Sequence, residues 1–209
     1  MNKNLFFFAT LSSLTLFFAY YSGVILETNQ LVINSLSEKL TNQQINKHLS
    51  FQQKWEWLSY ILIPFLLFFK IVLIAAIIDL GCFFFNREIK YKKLFNIVLK
   101  AEFIFLLVII FKTLWFYFFQ TNYELEDLQY FYPFSVLNVT GYEGLKIWWI
   151  YPLQVLNLFE LAYWFILAYL LGKELKIKTD KGFSIIACSY GIALLIWIIA
   201  IMFFTLNMS

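Results

Sequence analysis

Carboxylates, ammonium groups and side-chain amides stand inside long apolar runs of this chain, where each needs a reason to be tolerated. Gln154, Asn157 and Glu160 recur at three-residue spacing within residues 147–171, IWWIYPLQVLNLFELAYWFILAYLL. At helical period each step drifts by about 60°, so all three fit one broad face. Lys70 lies midway along a second apolar run, 57–83, and Lys112 lies past the centre of a third, 97–119. A charge at the centre of a helix in hydrocarbon costs about 2.5–3.5 kcal/mol, so it must be paired, neutralised or turned to water. Opposite charges at one depth meet that demand. Lys70 is therefore expected to pair with Glu160. Lys112 is the competing partner, roughly 6 Å nearer the outside by helical rise, and its long stem could instead snorkel outward. Lys70, Lys112, Gln154, Asn157 and Glu160 make up a candidate buried polar layer. Asp79, Lys100 and Glu102 make a second set near the cytoplasmic boundary, placed to pair across the second and third runs.

Such a layer has two uses. It could handle protons or a substrate in transit, or it could fix helix register as a structural lock. Other chemistry lacks its residues. The chain has no GxSxG, HExxH, P-loop or GxGxxG pattern. Its single histidine, His48, lies in a polar segment with no partner set, and is expected to face solvent. A serine protease would need a Ser–Lys dyad, and Ser135 has no lysine in its layer. Cys82 and Cys188 have neither metal spacing nor a disulfide framework and read as small buried apolar residues. No cofactor and no metal is implied.

The elements that must position these residues follow from composition. Of the 209 residues 62% are hydrophobic, 22% aromatic and only 14% charged. A soluble chain of this length has no core large enough for that much apolar surface. The pattern is that of an all-α, polytopic membrane helical bundle in a single domain. Five runs are long enough to cross: 5–26, 57–83, 97–119, 147–171 and 183–206. The first could be a signal peptide, but its length and the lack of a small-x-small cleavage site favour a retained span. Pro64 should kink or open the second. In the fifth, Ser184-xxx-Cys188 and Ala187-xxx-Gly191 place small residues one turn apart for close helix approach.

Two segments between the runs are polar. Residues 27–56 contain Ser35-x-x-Glu38 and Thr41-x-x-Gln44, both of capping-box form, and predict two short amphipathic helices at the membrane surface. Residues 120–146 contain the apolar stretch 132–137, expected as a helical turn at the interface or dipping in from outside, with Pro133 starting it. Lysine and arginine set the orientation. Nine lie on one side: Lys3, Arg87, Lys90, Lys92, Lys93, Lys173, Lys176, Lys178 and Lys181. Four lie on the other: Lys39, Lys47, Lys54 and Lys146. The basic side is cytoplasmic, which puts the N-terminus inside, the C-terminus outside, and segments 27–56 and 120–146 outside. The same count explains the basic loops without nucleic acid.

The stretch 80–107, LGCFFFNREIKYKKLFNIVLKAEFIFLL, sets a short basic loop before a span. Residues 133–138, PFSVLN, form an apolar serine–leucine turn after the third run. Residues 155–175, VLNLFELAYWFILAYLLGKEL, set Glu160 after Leu158-Phe159 and before Trp164, in a run ending at Gly172. In these features the chain resembles the YIP family of Ypt-interacting membrane proteins, in its small bacterial branch. The resemblance implies a five-span helical fold with a cytoplasmic N-terminus. Eukaryotic members are associated with small GTPases and vesicle traffic. The expectation is a non-enzymatic, YIP-like membrane-organising or interaction component of the bacterial inner membrane. Its partners would be the lipid bilayer and another membrane protein or a second copy of itself. The alternative is a small permease or exporter subunit built on the Lys70/Glu160 layer.

Overall fold

The computed structural model describes residues 3–37 and 40–208. Glu38 of the first capping-box pattern and Lys39 of the charge count lie outside the described residues. The elements are α1 (Lys3–Ile25), α2 (Thr28–Ser37), α3 (Asn42–Phe84), α4 (Tyr91–Ala101), α5 (Ile104–Phe118), α6 (Leu125–Tyr130), α7 (Val136–Thr140), α8 (Ile147–Val155), α9 (Leu158–Leu175), α10 (Thr179–Ile186), a π-turn (Ala187–Gly191) and α11 (Ile192–Met208). Among the described residues every named element is helical. Four stretches are long and apolar enough to cross a membrane: Lys3–Ile25, Tyr60–Phe84, Tyr91–Phe118 and Thr179–Met208.

Three expectations change. The second outer helix is not a short surface helix, because α3 runs unbroken for 43 residues from the polar segment into the second run. Residues 42–63 contain neither Gly nor Pro, so nothing ends the helix at the polar-to-apolar boundary. Thr41 does open α3 with a capping box to Gln44, whereas Ser35 lies inside α2 and its hydroxyl donates back to the Val32 carbonyl. The third run starts earlier than expected, at Tyr91, and is interrupted by a turn at Glu102–Phe103. The fourth run is not one helix. It breaks between α8 and α9 at Leu156–Asn157.

The break has a local cause. Asn157 leaves helical geometry (φ −140°, ψ 161°) and its Oδ1 accepts the Glu160 backbone N–H at 2.8 Å, so it is the N-cap of α9. Asparagine is among the strongest N-cap residues. Buried backbone groups freed by the break need partners inside the protein, and the 132–137 stretch supplies them. The Val136 N–H donates to the Leu156 carbonyl at 2.9 Å, and the Leu158 N–H donates to the Phe134 carbonyl at 3.3 Å. Ser135 and Asn157 form an isolated antiparallel bridge. The stretch therefore lies against the α8–α9 break, with the Phe134 ring packed against Phe111 and Phe159. Pro133 does open a turn, though not a helical one: the Ser135 N–H donates to the Tyr132 carbonyl at 3.2 Å with Phe134 at φ +56°, and Ser135 then caps α7. A left-handed non-glycine residue costs about 1–2 kcal/mol, and here it sets the half-exposed Phe134 ring against Phe111 and Phe159.

The core is built by stripes at helical spacing: Ile71, Ile74, Ala75, Ile78 and Cys82 on α3, Leu94, Ile97, Val98 and Ala101 on α4, and Tyr163, Leu167, Ala168 and Leu171 on α9. Helix α4 packs against both α3 and α9. The close approaches of the last span do not use Ser184 and Cys188, which face outward. A Cβ on Gly81 would meet Ser189 Cβ at 2.5 Å, and one on Gly191 would meet the Trp164 ring at 2.6 Å. Backbone-to-side-chain contact at these two glycines brings the π-turn against α3 and α9.

Candidate functional site

Two carboxylates mark the polar interior, and they lie in separate surroundings. Glu102, at the α4–α5 turn, is 3% exposed. Its Oε2 receives the Lys70 Nζ at 2.8 Å, and its Oε1 accepts the Tyr163 hydroxyl at 2.8 Å. Lys70 also lies 4.2 Å over the Phe105 ring, a cation–π contact. The lysine is less enclosed than its partner, its side chain being 43% exposed. Lys70 therefore does not pair with Glu160. The reason is adjacency: Lys70, Glu102 and Glu160 lie about 21, 16 and 22 Å from the same end of the bundle by helical rise, but α4 stands between α3 and α9. The carboxylate on the intervening helix takes the ammonium.

Glu160 is the third residue of α9, not the middle of a continuous span. Its Oε1 accepts the Tyr190 hydroxyl at 2.7 Å and the Trp164 Nε1–H at 3.0 Å. Trp164 is one turn along the same helix. Tyr190 comes from the π-turn, whose extra residue per turn re-aims side chains. The helix N-terminus adds a favourable dipole for a carboxylate. Tyr163 and Tyr190 meet edge-on, ring centroids 5.6 Å apart, so the two centres touch through aromatic rings while their hydrogen bonds stay separate.

The other expected site residues are dispersed. Gln154 turns outward from the break, and its Nε2 donates to the Tyr130 carbonyl at 2.8 Å. Asn157 caps α9, and its Nδ2 donates to the Gln154 and Val155 carbonyls. Lys112 neither joins Glu160 nor snorkels free: its Nζ donates to the Leu128 carbonyl near the end of α6. In the second set, Glu102 does pair across the second and third runs, but with Lys70. Lys100 is exposed with its Nζ 5.8 Å from the Phe7 ring, and Asp79 makes no ion pair among the described residues. Tyr163, Trp164 and Tyr190 are the members that sequence reasoning left out. Asn157-x-x-Glu160 has N-cap-to-N3 spacing, which was a readable sign of the break.

A cavity of about 440 Å³ opens at the break, lined by Phe134, Leu158, Glu160, Trp164, Gly191 and Leu194 among others. Its walls are apolar apart from Asn157 and Glu160. Elsewhere the buried Ser12 hydroxyl on α1 has no hydrogen-bond partner among the described residues. The Ser135 hydroxyl accepts the Asn138 N–H as the α7 cap, and His48 is exposed. Among the described residues no cluster of His, Cys, Asp and Glu suits a metal ion. The fold is thus an all-α assembly with four helices of membrane-spanning length and a paired polar centre. No family model, curated protein or solved structure matches the chain.

Proposed function

We infer that this chain is a non-enzymatic integral membrane component of the bacterial inner membrane, YIP-like, that organises or contacts other membrane proteins from a five-span bundle. In this reading α8 and α9 together make the fourth crossing as a broken helix. Two contacts support the orientation. Lys93, just after the first basic loop, pairs with Glu174, just before the second, and Asn96 Nδ2 donates to Asn4 Oδ1 at 2.7 Å. Both basic loops and the N-terminal end of α1 therefore gather at one end of the bundle, as a single cytoplasmic face requires. The opposite end is tied by Thr113 to Ser22 at 2.8 Å and by Tyr123 to the Leu26 carbonyl at 3.3 Å.

The Lys70–Glu102–Tyr163 centre supports a structural use of intramembrane charge, because each buried group there is matched by a neighbour on a different helix. The permease reading draws less support, since the Lys70/Glu160 layer it needs is divided between two centres. In spheroplasts lacking Cys82 and Cys188, cysteines at Lys92 and Lys178 are expected to react with an impermeant maleimide only after lysis, and one at Asn122 before it. The reverse pattern would sink the orientation. Proximity labelling from the 86–90 loop is expected to return a reproducible membrane neighbour; its absence would sink the interaction role.

A further inference from the structure

The Glu160 carboxylate differs from that of Glu102 in one respect with consequences for binding. Both of its hydrogen bonds fall on Oε1. Oε2 has no donor among the described residues, and no cation pairs with the group. The nearby ammonium, Lys70, is already committed to Glu102. Two neutral donors and a helix dipole ease the burial of a carboxylate without cancelling its charge. This carboxyl lines the apolar cavity, where a cation bound beside Oε2 would favour its ionised form. Leu158, Leu161 and Leu195 on the cavity wall are also broadly exposed, so the cavity opens sideways onto the apolar exterior of the bundle. The aromatic side chains of Phe134 and Trp164 border it.

We propose that this cavity binds a lipophilic monovalent organic cation, its charged centre beside Glu160 and its apolar body among Phe134, Trp164, Leu194 and Ile198. Charge complementarity selects the ligand class. A neutral lipid chain would fill the same volume and leave the carboxylate uncompensated, whereas a cation supplies the missing charge and gains from the aromatic side chains. The volume falls in the range of about 300–1,000 Å³ that holds drug-sized molecules. The sideways opening suits a ligand that partitions first into the bilayer. The proposal rests on the bilayer placement inferred above.

The test uses the full chain in phosphatidylcholine nanodiscs, with tritiated tetraphenylphosphonium as probe and empty discs as the blank. Saturable binding of about one probe per chain is expected, with uncharged triphenylphosphine oxide competing poorly. Glu160→Gln keeps an acceptor for Tyr190 and Trp164 but loses the charge, and should weaken binding about tenfold or more. Leu195→Trp keeps the carboxylate and crowds the exposed cavity mouth, and should weaken binding as well; it tests the site independently if the first variant folds poorly. Thermal unfolding in the same discs reports folding. No saturable binding, unchanged affinity in both variants, or equal competition by the neutral compound would overturn the proposal, the last assigning the cavity to a neutral lipid chain. Release of the protein from membranes by alkaline carbonate would instead overturn the bilayer placement, and the site with it.

Discussion

Glu102 is held between an ammonium on α3 and a phenol on α9, while Glu160 is held by an indole of its own helix and a phenol of the π-turn. The first arrangement joins three helices and neutralises the charge. The second leaves the carboxyl without a counter-ion and places it on a cavity wall. The two carboxylates lie about 16 and 22 Å from one end of the bundle by helical rise, so depth accounts for only part of the difference. What separates them is the backbone. Glu102 sits in a minor turn that leaves its flanking helices in line enough to act as one candidate span, Tyr91–Phe118. Glu160 follows a full break, where Asn157 caps a new helix and the 132–137 stretch takes up the freed backbone groups. A buried carboxyl can thus be held by a partner charge or by a helix start, and only the partner charge supplies a counter-ion.

The largest expected effect breaks the paired side of this contrast. Lys70→Met leaves Glu102 buried with Tyr163 as its remaining partner. Removing one member of a buried pair costs about 3–5 kcal/mol, and the partial exposure of Lys70 lowers the expectation to about 2–3 kcal/mol. Glu102→Gln should cost less, because the lysine left behind is already half-open and can reach water or headgroups. The double variant should recover much of the loss. Unfolding midpoints in detergent and accumulation in membranes read this directly; a silent Lys70→Met, or a double variant worse than either single, would remove the structural account of the pair.

A smaller effect is expected at the helix start. Asn157→Ala deletes the acceptor for the Glu160 backbone N–H, and loss of a cap costs about 1 kcal/mol. Because it leaves Lys70 and Glu102 in place, its cost should add to that of Lys70→Met within about 0.5 kcal/mol. Strong non-additivity in a double-mutant cycle would mean that the two centres act as one network through the Tyr163–Tyr190 contact, and the contrast would dissolve.

How much of this could be read from the chain depends on which force decided each feature. Helical class and the long apolar runs were legible because hydrophobicity acts locally and at fixed period. The costly polar residues were legible as a set for the same reason. Their partners were not. Lys70 and Glu160 share a depth, but pairing is decided by which helices are neighbours, and hydropathy says nothing of lateral order in a bundle. Residues 147–171 look like one span because Leu, Trp and Tyr dominate the average, while a single Asn157 cap, backed by backbone bonds from residues 134–136, overrides it. Lys112 shows the same limit, since a backbone carbonyl in α6 is invisible to a search for opposite charges. Tyr163 and Tyr190 drew no notice because an aromatic residue in an apolar run reads as core. The π-turn that aims Tyr190 has no period of its own to detect.

The smallest expected effect gives both centres a reference outside the crossings. Tyr142 donates its hydroxyl to Asp127 Oδ1 at 2.8 Å, while Asp127 Oδ2 accepts the Glu124 N–H that starts α6. This bond to an ionised carboxylate is the main cause that holds the Tyr142 phenol above its ordinary value of 10, pushed up to about 12, with burial and nearby carboxylates adding to it. A folded value above the unfolded one means that the bond stabilises the fold in full below about pH 10, and that this contribution is lost as pH rises through 12. The difference in tyrosinate absorbance between the wild type and Tyr142→Phe should therefore titrate near 12, and Asp127→Asn should bring it back toward 10. The site is a short loop open to water, so the change in stability should be small beside that of Lys70→Met. A phenol already titrating near 10 in the intact protein would show that the Asp127 bond is not held in the native state, and that carboxylate–phenol bonds here need the enclosure that Glu102 and Glu160 have.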